Sequence, residues 1–251
     1  MSSGKNDVAE TPLRRKSSAQ PANLGLFPGA PVVRKVKKRN FLCAVDGDGG
    51  DHKVLGAAPF RSLLERDLRV LLGANAGIAH YAIEPHVLIY YIPDGRGGQE
   101  KHEYVPDVVC RYRTGAVVVI DAKARFIAGR PSWTRRQPHI EEAYRLDHGV
   151  PFLTLDEAEI RAEPRLSNCQ VMERHRYIVP DEVAMLRVRD ALVELGLPTT
   201  IATVVRTARL NDRPGECRAY TAVMNLALAG EVALDLGRPF CFQTEIREVT
   251  P

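Results

Sequence analysis

A predicted β-hairpin constrains the fold of this chain more than any other feature of its sequence. Two segments with several β-branched residues, 104–112 and 116–122, flank a short turn that contains Gly115. A glycine in the left-handed conformation closes a three-residue hairpin loop and fixes which residues of the two strands lie opposite each other. Counted outward from this turn, the register places Asp107 opposite Asp121.

Two carboxylates that face each other in this way need a compensating charge. Directly opposed residues of an antiparallel pair have Cβ atoms about 5 Å apart, so Asp107 and Asp121 repel each other. A bound cation, or a raised pKa of one carboxyl group, removes the repulsion. Lys123 faces the same side as Asp121, because side chains alternate along a strand. Two carboxylates and a lysine at the open end of a hairpin are the groups of a metal-dependent phosphodiester-cleaving site.

The chemistry predicted for this site uses Mg²⁺ ions, which activate a water on one side of phosphorus and stabilise the leaving oxygen on the other. Asp107 and Asp121 would bind the ions. The backbone carbonyl of Ala122 would supply a neutral oxygen, and Glu65 would reach in from a preceding helix. Lys123 would orient or deprotonate the attacking water, or neutralise the charge that develops on phosphorus. A simpler interpretation stays open, in which Asp121 and Lys123 form an ion pair at the end of a strand.

The helix that carries Glu65 is predicted from the spacing of its apolar residues. Leucines recur at helical spacing from Leu63 to Leu72, and the helix is expected to stop near Gly73. Glu65 lies at the border of the apolar stripe. An ion pair with Arg69, worth a few tenths of a kcal/mol, is the alternative role for this glutamate.

The composition is that of a soluble globular protein. The chain has 251 residues, 45% of them hydrophobic, and a net charge of +4, which is compatible with a polyanionic partner. Its five cysteines show no zinc-ligand spacing and are expected to stay reduced in a cytosol. No segment is apolar over the length that a bilayer requires, and the amino terminus lacks the apolar core of a signal peptide. We therefore expect a cytoplasmic protein that does not enter the membrane.

The order of predicted elements divides the chain into three parts. Residues 1–58 are rich in Ser, Pro, Gly and basic clusters, and are expected to form a flexible basic arm. Residues 59–178 have the order of an α/β unit with a mixed sheet flanked by helices. Residues 179–251 are predicted to form three helices and a small hairpin, the order of a winged helix-turn-helix.

Some local expectations follow from single residues. Pro138 is expected to start the helix that precedes the last strand of the α/β unit. Two short strands, 232–236 and 239–243, are expected to form the wing. The histidines, His86 among them, show no metal-ligand spacing and are expected to be ordinary loop or surface residues.

The segment that follows Lys123 is basic and contains the only tryptophan of the chain, Trp133. Basic side chains next to a candidate cleavage site favour contacts with the phosphates of DNA. In the carboxy-terminal part, four arginines between residues 206 and 218 suit a surface that binds either DNA or protein. The predicted DNA-binding residues near the site are Arg125, Arg130, Arg135 and Arg136.

Several short motifs together resemble a known family. The chain is similar to the amino-terminal nuclease domain of TnsA, the endonuclease subunit of heteromeric transposases, within the PD-(D/E)xK superfamily. The resemblance covers about residues 59–178 and, more loosely, the carboxy-terminal part. The motifs that carry it are Arg61-Ser62-Leu63-Leu64-Glu65-Arg66-Asp67, Glu84-Pro85, Tyr104-Val105-Pro106-Asp107, Asp121-Ala122-Lys123 and Gly149-Val150-Pro151-Phe152.

This resemblance implies a restriction-endonuclease-like fold and Mg²⁺-dependent nicking of the 5′ strands at transposon ends, with Mn²⁺ as a possible substitute. It implies three partners: double-stranded DNA, a TnsB-like DDE transposase that cuts the 3′ strands, and a TnsC-like AAA+ regulator. The location would be the prokaryotic cytoplasm, at the nucleoid when DNA is bound. The chain has Asp121 where relatives often carry Glu or Gln, and Glu84 where they tend to have Gln; neither difference removes a metal ligand.

Two other functions are compatible with these residues. One is a restriction or repair nuclease of the same superfamily, which would not need a carboxy-terminal module that binds a regulator. The other is a non-catalytic DNA-binding or scaffold subunit. The presence of all four expected catalytic side chains, Glu65, Asp107, Asp121 and Lys123, argues against the second.

Overall fold

The computed structural model describes residues 23–33 and 47–249. Within these residues, every helix is too short or too polar to cross a lipid bilayer. The helices are α1 (Leu63–Ala74), α2 (Arg125–Ala128), α3 (Pro131–His148), α4 (Glu157–Ile160), α5 (Arg165–Arg176), α6 (Glu182–Leu195), α7 (Ile201–Ala208) and α8 (Arg218–Ala229). The strands are β1 (Gly47–Asp48), β2 (Pro59–Phe60), β3 (Ile78–Ile83), β4 (Leu88–Pro93), β5 (Gln99–Tyr104), β6 (Val108–Tyr112), β7 (Val117–Ala122), β8 (Phe152–Leu155), β9 (Thr199–Thr200), β10 (Ala233–Leu234) and β11 (Glu245–Arg247).

A four-stranded mixed sheet forms the centre of the α/β part, with its strands in the order β3-β6-β7-β8. Strand β6 pairs antiparallel with both β3 and β7, whereas β8 lies parallel to β7. The parallel step is possible because α3 crosses over between β7 and β8. The α/β class and the mixed sheet flanked by helices, both predicted from the sequence, are confirmed.

The two faces of this sheet bury alternate residues of each strand. On one face, Val109 and Val119 pack against α3 and the separate hairpin of β4 and β5. On the other face, Val108 and Ile120 pack against α1 and α4. The sheet is thus the middle layer of three, and the ends of its strands reach the surface between the helices.

The hairpin of β6 and β7 has the predicted register. The Tyr112 N–H donates to the Ala116 carbonyl at 2.8 Å, and the Gly115 N–H donates to the Tyr112 carbonyl at 2.9 Å. Gly115 has a φ of 89°, the left-handed conformation that this loop requires. At the other end of the ladder, Asp107 and Asp121 are the next opposed residues beyond the last pair.

Helix α3 begins earlier than predicted. It starts with Pro131 in its first turn, and Pro138 lies inside the helix, so the prediction that Pro138 starts it is wrong. Both prolines have a φ that suits a helix start, and the sequence does not distinguish them. Pro138 is exposed, and water can reach the carbonyl that lacks its N–H partner there.

The described part of the amino-terminal region packs on the α/β unit. Leu24 is buried in the cluster on the α3 face. The Ala30 N–H donates to the Leu55 carbonyl at 2.8 Å, so two parts of this region also bind each other. In contrast to the expected flexible arm, residues 23–33 and 47–58 follow a surface that later residues create. The basic clusters of the arm, at 14–16 and 34–39, lie outside the described residues.

The carboxy-terminal helices share a core with the α/β part. Helices α6, α7 and α8 are followed by the last strands of a small sheet with the order β10-β11-β9. Their buried side chains form one cluster with residues of α1 and α5, among them Val70 and Met172. Hydrophobic packing therefore continues across the boundary expected near residue 178.

The second wing strand lies further along the chain than predicted. Strand β11 occupies Glu245–Arg247, so the strand expected at 239–243 is wrong. That segment instead folds around buried Asn168, whose Oδ1 accepts from the Phe240 N–H at 3.0 Å and whose Nδ2 donates to the Arg238 carbonyl at 2.7 Å. A side chain 72 residues away thus satisfies the backbone groups that a strand would have paired.

Candidate functional site at the open end of the hairpin

Asp121 and Lys123 form an ion pair where β7 ends. The Asp121 side chain is fully buried, while the side chain of Lys123 keeps 18% exposure. The distance from Lys123 Nζ to Asp121 Oδ2 is 2.5 Å. The ammonium group therefore links a buried carboxylate to the surface of the molecule.

Asp107 is held across the hairpin, next to Asp121. Its Oδ2 accepts a hydrogen bond from the Ala122 N–H at 2.9 Å. Its backbone carbonyl accepts from the Glu84 N–H at 3.0 Å. Asp107 is only 6% exposed, so both opposed aspartates are buried where the strands end.

The carboxylate of Asp121 has two close neighbours. Lys123 Nζ lies 2.5 Å from its Oδ2, and the Tyr104 hydroxyl lies next to the same carboxylate. The Trp133 Nε1 and the Thr154 hydroxyl are buried and without a hydrogen-bond partner among the described residues. Buried polar groups that lack partners are rare in folded proteins and are a common feature of sites that bind an ion or a water.

Tyr104 lies close to both aspartates. Burial, and then the negative charges of Asp121 and Asp107, raise the pKa of Tyr104 well above its ordinary value. Its phenol therefore stays protonated and can donate a hydrogen bond to an oxygen in the site, but cannot act as a base near neutral pH.

Two aromatic rings position the ammonium group of Lys123. Its Nζ lies 4.7 Å from the centroid of the Trp133 ring and 5.8 Å from that of Tyr104. A cation over an aromatic face is attracted by the negative charge of the ring centre. Lys123 is thus held between a carboxylate and two rings, which restricts where its nitrogen can point.

Glu65 reaches the site from the first turn of α1. Its own N–H donates to Ser62 Oγ at 3.1 Å, which caps the helix, and its Oε2 accepts from the Arg61 N–H at 2.7 Å. Glu65 lines one small cavity together with Glu84 and Asp107. The structure therefore brings Glu65 to Asp107.

Arg69, the expected partner of Glu65 in the alternative ion pair, binds other groups. The guanidinium of Arg69 donates to the backbone carbonyls of Gly49 and Ala58 and stacks over the ring of Phe60 at 4.7 Å. Arg69 therefore binds the amino-terminal region to α1.

The three predicted carboxylates do not form a compact metal cage. Within the described parts of the chain, no three His, Cys, Asp or Glu side chains are arranged to hold a metal ion. By strand alternation Asp121 lies on the same side as Val119, which packs towards α3, whereas Glu65 lies on α1, which covers the opposite side. Asp107 is the residue that the two sides have in common.

Sequence reasoning missed an ion pair that supports the site. The guanidinium of Arg61 binds Glu84 through both of its terminal nitrogens, with Nη2 2.7 Å from Oε2. Glu84 is 3% exposed and has a φ of 44°, which is unusual for a residue other than glycine. Because its N–H also binds Asp107, this glutamate connects the start of α1 to the aspartate. Both residues belong to motifs that carry the family resemblance, but no local pattern pairs positions 23 residues apart.

A basic cleft leads to Lys123. It has a volume of about 620 Å³, and its lining includes Lys123, Arg130, Arg136 and the aromatic pair of Tyr104 and Trp133. Its size and its mixture of cationic and aromatic side chains suit part of a polyanionic chain with flat rings.

The four arginines predicted to bind DNA differ in their surroundings. Arg130 and Arg136 line the cleft, and the Nε of Arg136 donates to a neutral phenol, the Tyr90 hydroxyl, at 2.6 Å. Arg135 is exposed on the same helix. Arg125 instead forms an ion pair with Asp156 at 2.9 Å and is not part of the cleft lining.

Fold and site together define an α/β protein with a mixed sheet, a buried Asp121–Lys123 pair and a basic cleft beside it. No protein-family model and no curated protein matches the chain.

Proposed function

We propose that this protein is a metal-dependent DNA endonuclease with a PD-(D/E)xK type of site and a restriction-endonuclease-like fold. The observation that carries the proposal is the geometry at the open end of the hairpin. Asp107 and Asp121 are opposed across the strands, and Lys123 lies 2.5 Å from Asp121 at the end of a basic cleft. Opposed acidic groups with an adjacent lysine and a cationic approach path match what phosphodiester cleavage needs.

The acidic residues suit a hard divalent cation. Mg²⁺ prefers carboxylate oxygens and is usually bound by one or two carboxylates together with substrate phosphate oxygens, so a complete protein cage is not required. Asp121 would bind the ion at the end of β7, beside Lys123. Asp107 and the carbonyl of Ala122 would bind the same ion, and water and substrate oxygens would complete its shell. Glu65, on the opposite side of the sheet, would lie outside that shell. When bound, Mg²⁺ or Mn²⁺ would polarise the phosphate and stabilise its developing charge.

Lys123 would act directly on the scissile phosphate. Its ammonium group is fixed by Asp121 and by the Trp133 ring, and it lines the cleft. From there it would donate to a phosphate oxygen or orient the attacking water. A fixed donor needs little reorganisation during the reaction, and this is the basis of electrostatic catalysis.

The cleft would bind the DNA backbone. No acidic side chain of the described residues pairs with Arg130, and the Nε of Arg136 donates to a neutral phenol. The positive charges of both arginines are therefore available to bind phosphates. Arg135 extends this basic surface along α3. Arg125, which is paired with Asp156, would contribute less.

The biological role that we propose is that of a TnsA-like endonuclease, which nicks the 5′ strands at transposon ends beside a TnsB-like DDE transposase. The short sequence motifs around Glu65, Asp107 and Lys123 support this role. The three helices and small sheet after residue 178 would be a winged helix-turn-helix that contacts a TnsC-like AAA+ regulator.

Strand-specific nicking of transposon-end DNA, with Mg²⁺ and the partner transposase, tests the proposal. We expect Asp107→Ala and Lys123→Ala to reduce the nicking rate by about 100-fold or more. Lys101→Ala is the matched control, because this lysine is exposed on the neighbouring hairpin and should leave the rate unchanged. Equal nicking by all four proteins would reject the catalytic assignment.

A further inference from the structure

Phe126 is an exposed aromatic side chain beside the candidate site. It is 65% exposed and lies on α2, which follows Lys123 after a single intervening residue. The next residue, Ile127, turns inward and lines the basic cleft. The ring of Phe126 is therefore largely in contact with water, next to a residue that lines the cleft.

A cation accompanies this ring. The guanidinium of Arg130 lies 5.1 Å from the ring centroid, and Arg130 also lines the cleft. No acidic side chain in the described residues pairs with Arg130. A partner that covers both groups must offer an apolar or flat surface next to a negative charge. The bases and phosphates of a nucleic acid strand offer both within one nucleotide.

The backbone under Phe126 is fixed. The Arg125 N–H donates to Glu157 Oε2 at 2.7 Å, and the Arg125 side chain binds Asp156 at 2.9 Å. These contacts attach the start of α2 to α4. These contacts hold α2 in an orientation that leaves the ring of Phe126 in solvent.

We propose that Phe126 inserts between neighbouring bases next to the scissile phosphate, while Arg130 binds a phosphate of the same strand. Apolar side chains inserted at a base step unstack the bases and kink the duplex, which makes the backbone at that step more accessible. Insertion beside the cleft would thereby deliver the phosphate to Lys123. This inference rests on the proposed function, because it requires DNA in the cleft.

Fluorescence of 2-aminopurine tests the insertion without relying on cleavage. The analogue replaces the base beside the nick mapped with the wild-type protein, and binding is measured without a divalent cation, so that the DNA is bound but not cut. We expect a several-fold rise in fluorescence on binding, a loss of that rise with Phe126→Ala, and partial retention with Phe126→Leu. Phe126→Ala should also weaken DNA binding by about tenfold.

Phe242→Ala is the matched control, since Phe242 is 51% exposed and lies in the carboxy-terminal part. If Phe126→Ala and Phe242→Ala give the same rise while the wild type nicks DNA, the insertion is wrong and the nuclease proposal stands. If Phe126→Ala loses the transposase in a binding assay but keeps the rise, the ring docks a protein and the insertion is wrong. If the wild type neither binds nor nicks DNA, the proposed function itself fails.

Discussion

At the scale of single residues, the site is defined by a buried carboxylate paired with a partly exposed ammonium group. Asp121 is fully buried and has Lys123 Nζ at 2.5 Å. A buried ion pair has to offset the desolvation of its charges, and strongly desolvated charged groups are common at functional sites.

Asp121→Asn should remove metal binding while the fold survives. The amide has nearly the volume of the carboxylate but no charge for a hard cation. We expect Mn²⁺ affinity to fall by more than the 10- to 100-fold that follows loss of an outer-shell partner. Calorimetric titration with Mn²⁺ measures it, and Asp94→Asn in an exposed loop is the control. An unchanged titration would contradict the role of Asp121.

His86 lies in the loop between β3 and β4, as expected, but this loop position is buried. His86 is only 2% exposed. Its Nδ1 lies 3.0 Å from the Leu24 carbonyl, which can only accept, so Nδ1 carries the proton and Nε2 accepts from the Tyr144 hydroxyl at 2.9 Å. Burial lowers the pKa of His86 to about 4, although the bond to Leu24 opposes this shift.

Stability should therefore fall in acid. Between pH 6.5 and 4 the unfolded chain binds a proton at His86 that the folded protein does not, so the free energy of unfolding rises with pH across this window and falls as pH drops. The full effect is about 3 kcal/mol. Urea unfolding at several pH values measures the slope. His86→Gln should reduce the slope, whereas His80→Gln, at an exposed position, should retain it.

At the scale of elements, the hairpin of β6 and β7 determines the site because its turn sets the register. A shift of one residue would move Asp107 and Asp121 to opposite faces of the sheet. The turn depends on Gly115, whose φ is 89°, and a Cβ added at this position would lie more than 4 Å from other residues. A residue with a Cβ would therefore strain the backbone at this position but would not clash with neighbouring residues.

Gly115→Ala should destabilise the protein by about 1 kcal/mol, because an alanine strains in the left-handed region. Thr114→Ala is the control at the adjacent exposed position and should have little effect. Chemical denaturation measures both. A neutral Gly115→Ala would show that the loop tolerates another turn type.

At the scale of the whole molecule, the carboxy-terminal helices and the α/β part share one hydrophobic cluster. Asn168 on α5 reinforces this connection through its bonds to the loop at Arg238 and Phe240. It is 2% exposed, so these bonds are sheltered from water. We expect the two parts to unfold together.

Asn168→Ala should lower the free energy of unfolding by about 2 kcal/mol, since it removes hydrogen bonds to the backbone at Leu236, Arg238 and Phe240. Fluorescence of Trp133, in the α/β part, and circular dichroism of all helices should give coincident transitions in both the wild type and the variant. Ser167→Ala is the exposed control on the same helix. Separate transitions in the wild type would contradict a shared core.

The sequence by itself determined the parts of this protein that depend on neighbours in the chain. The turn at Gly115 fixed the register of the hairpin, and apolar spacing located α1, because each signal arises within one local segment. The relation between Asp107, Asp121 and Lys123 follows from that register and from strand alternation.

Only the tertiary structure decided what depends on distant residues. The Arg61–Glu84 pair joins positions 23 residues apart, and Asn168 shapes a loop 72 residues away. The packing of Leu24 depends on a surface formed by strands and helices that come later in the chain. Local sequence carries no record of such contacts, because their free energy appears only when the chain has brought the partners together.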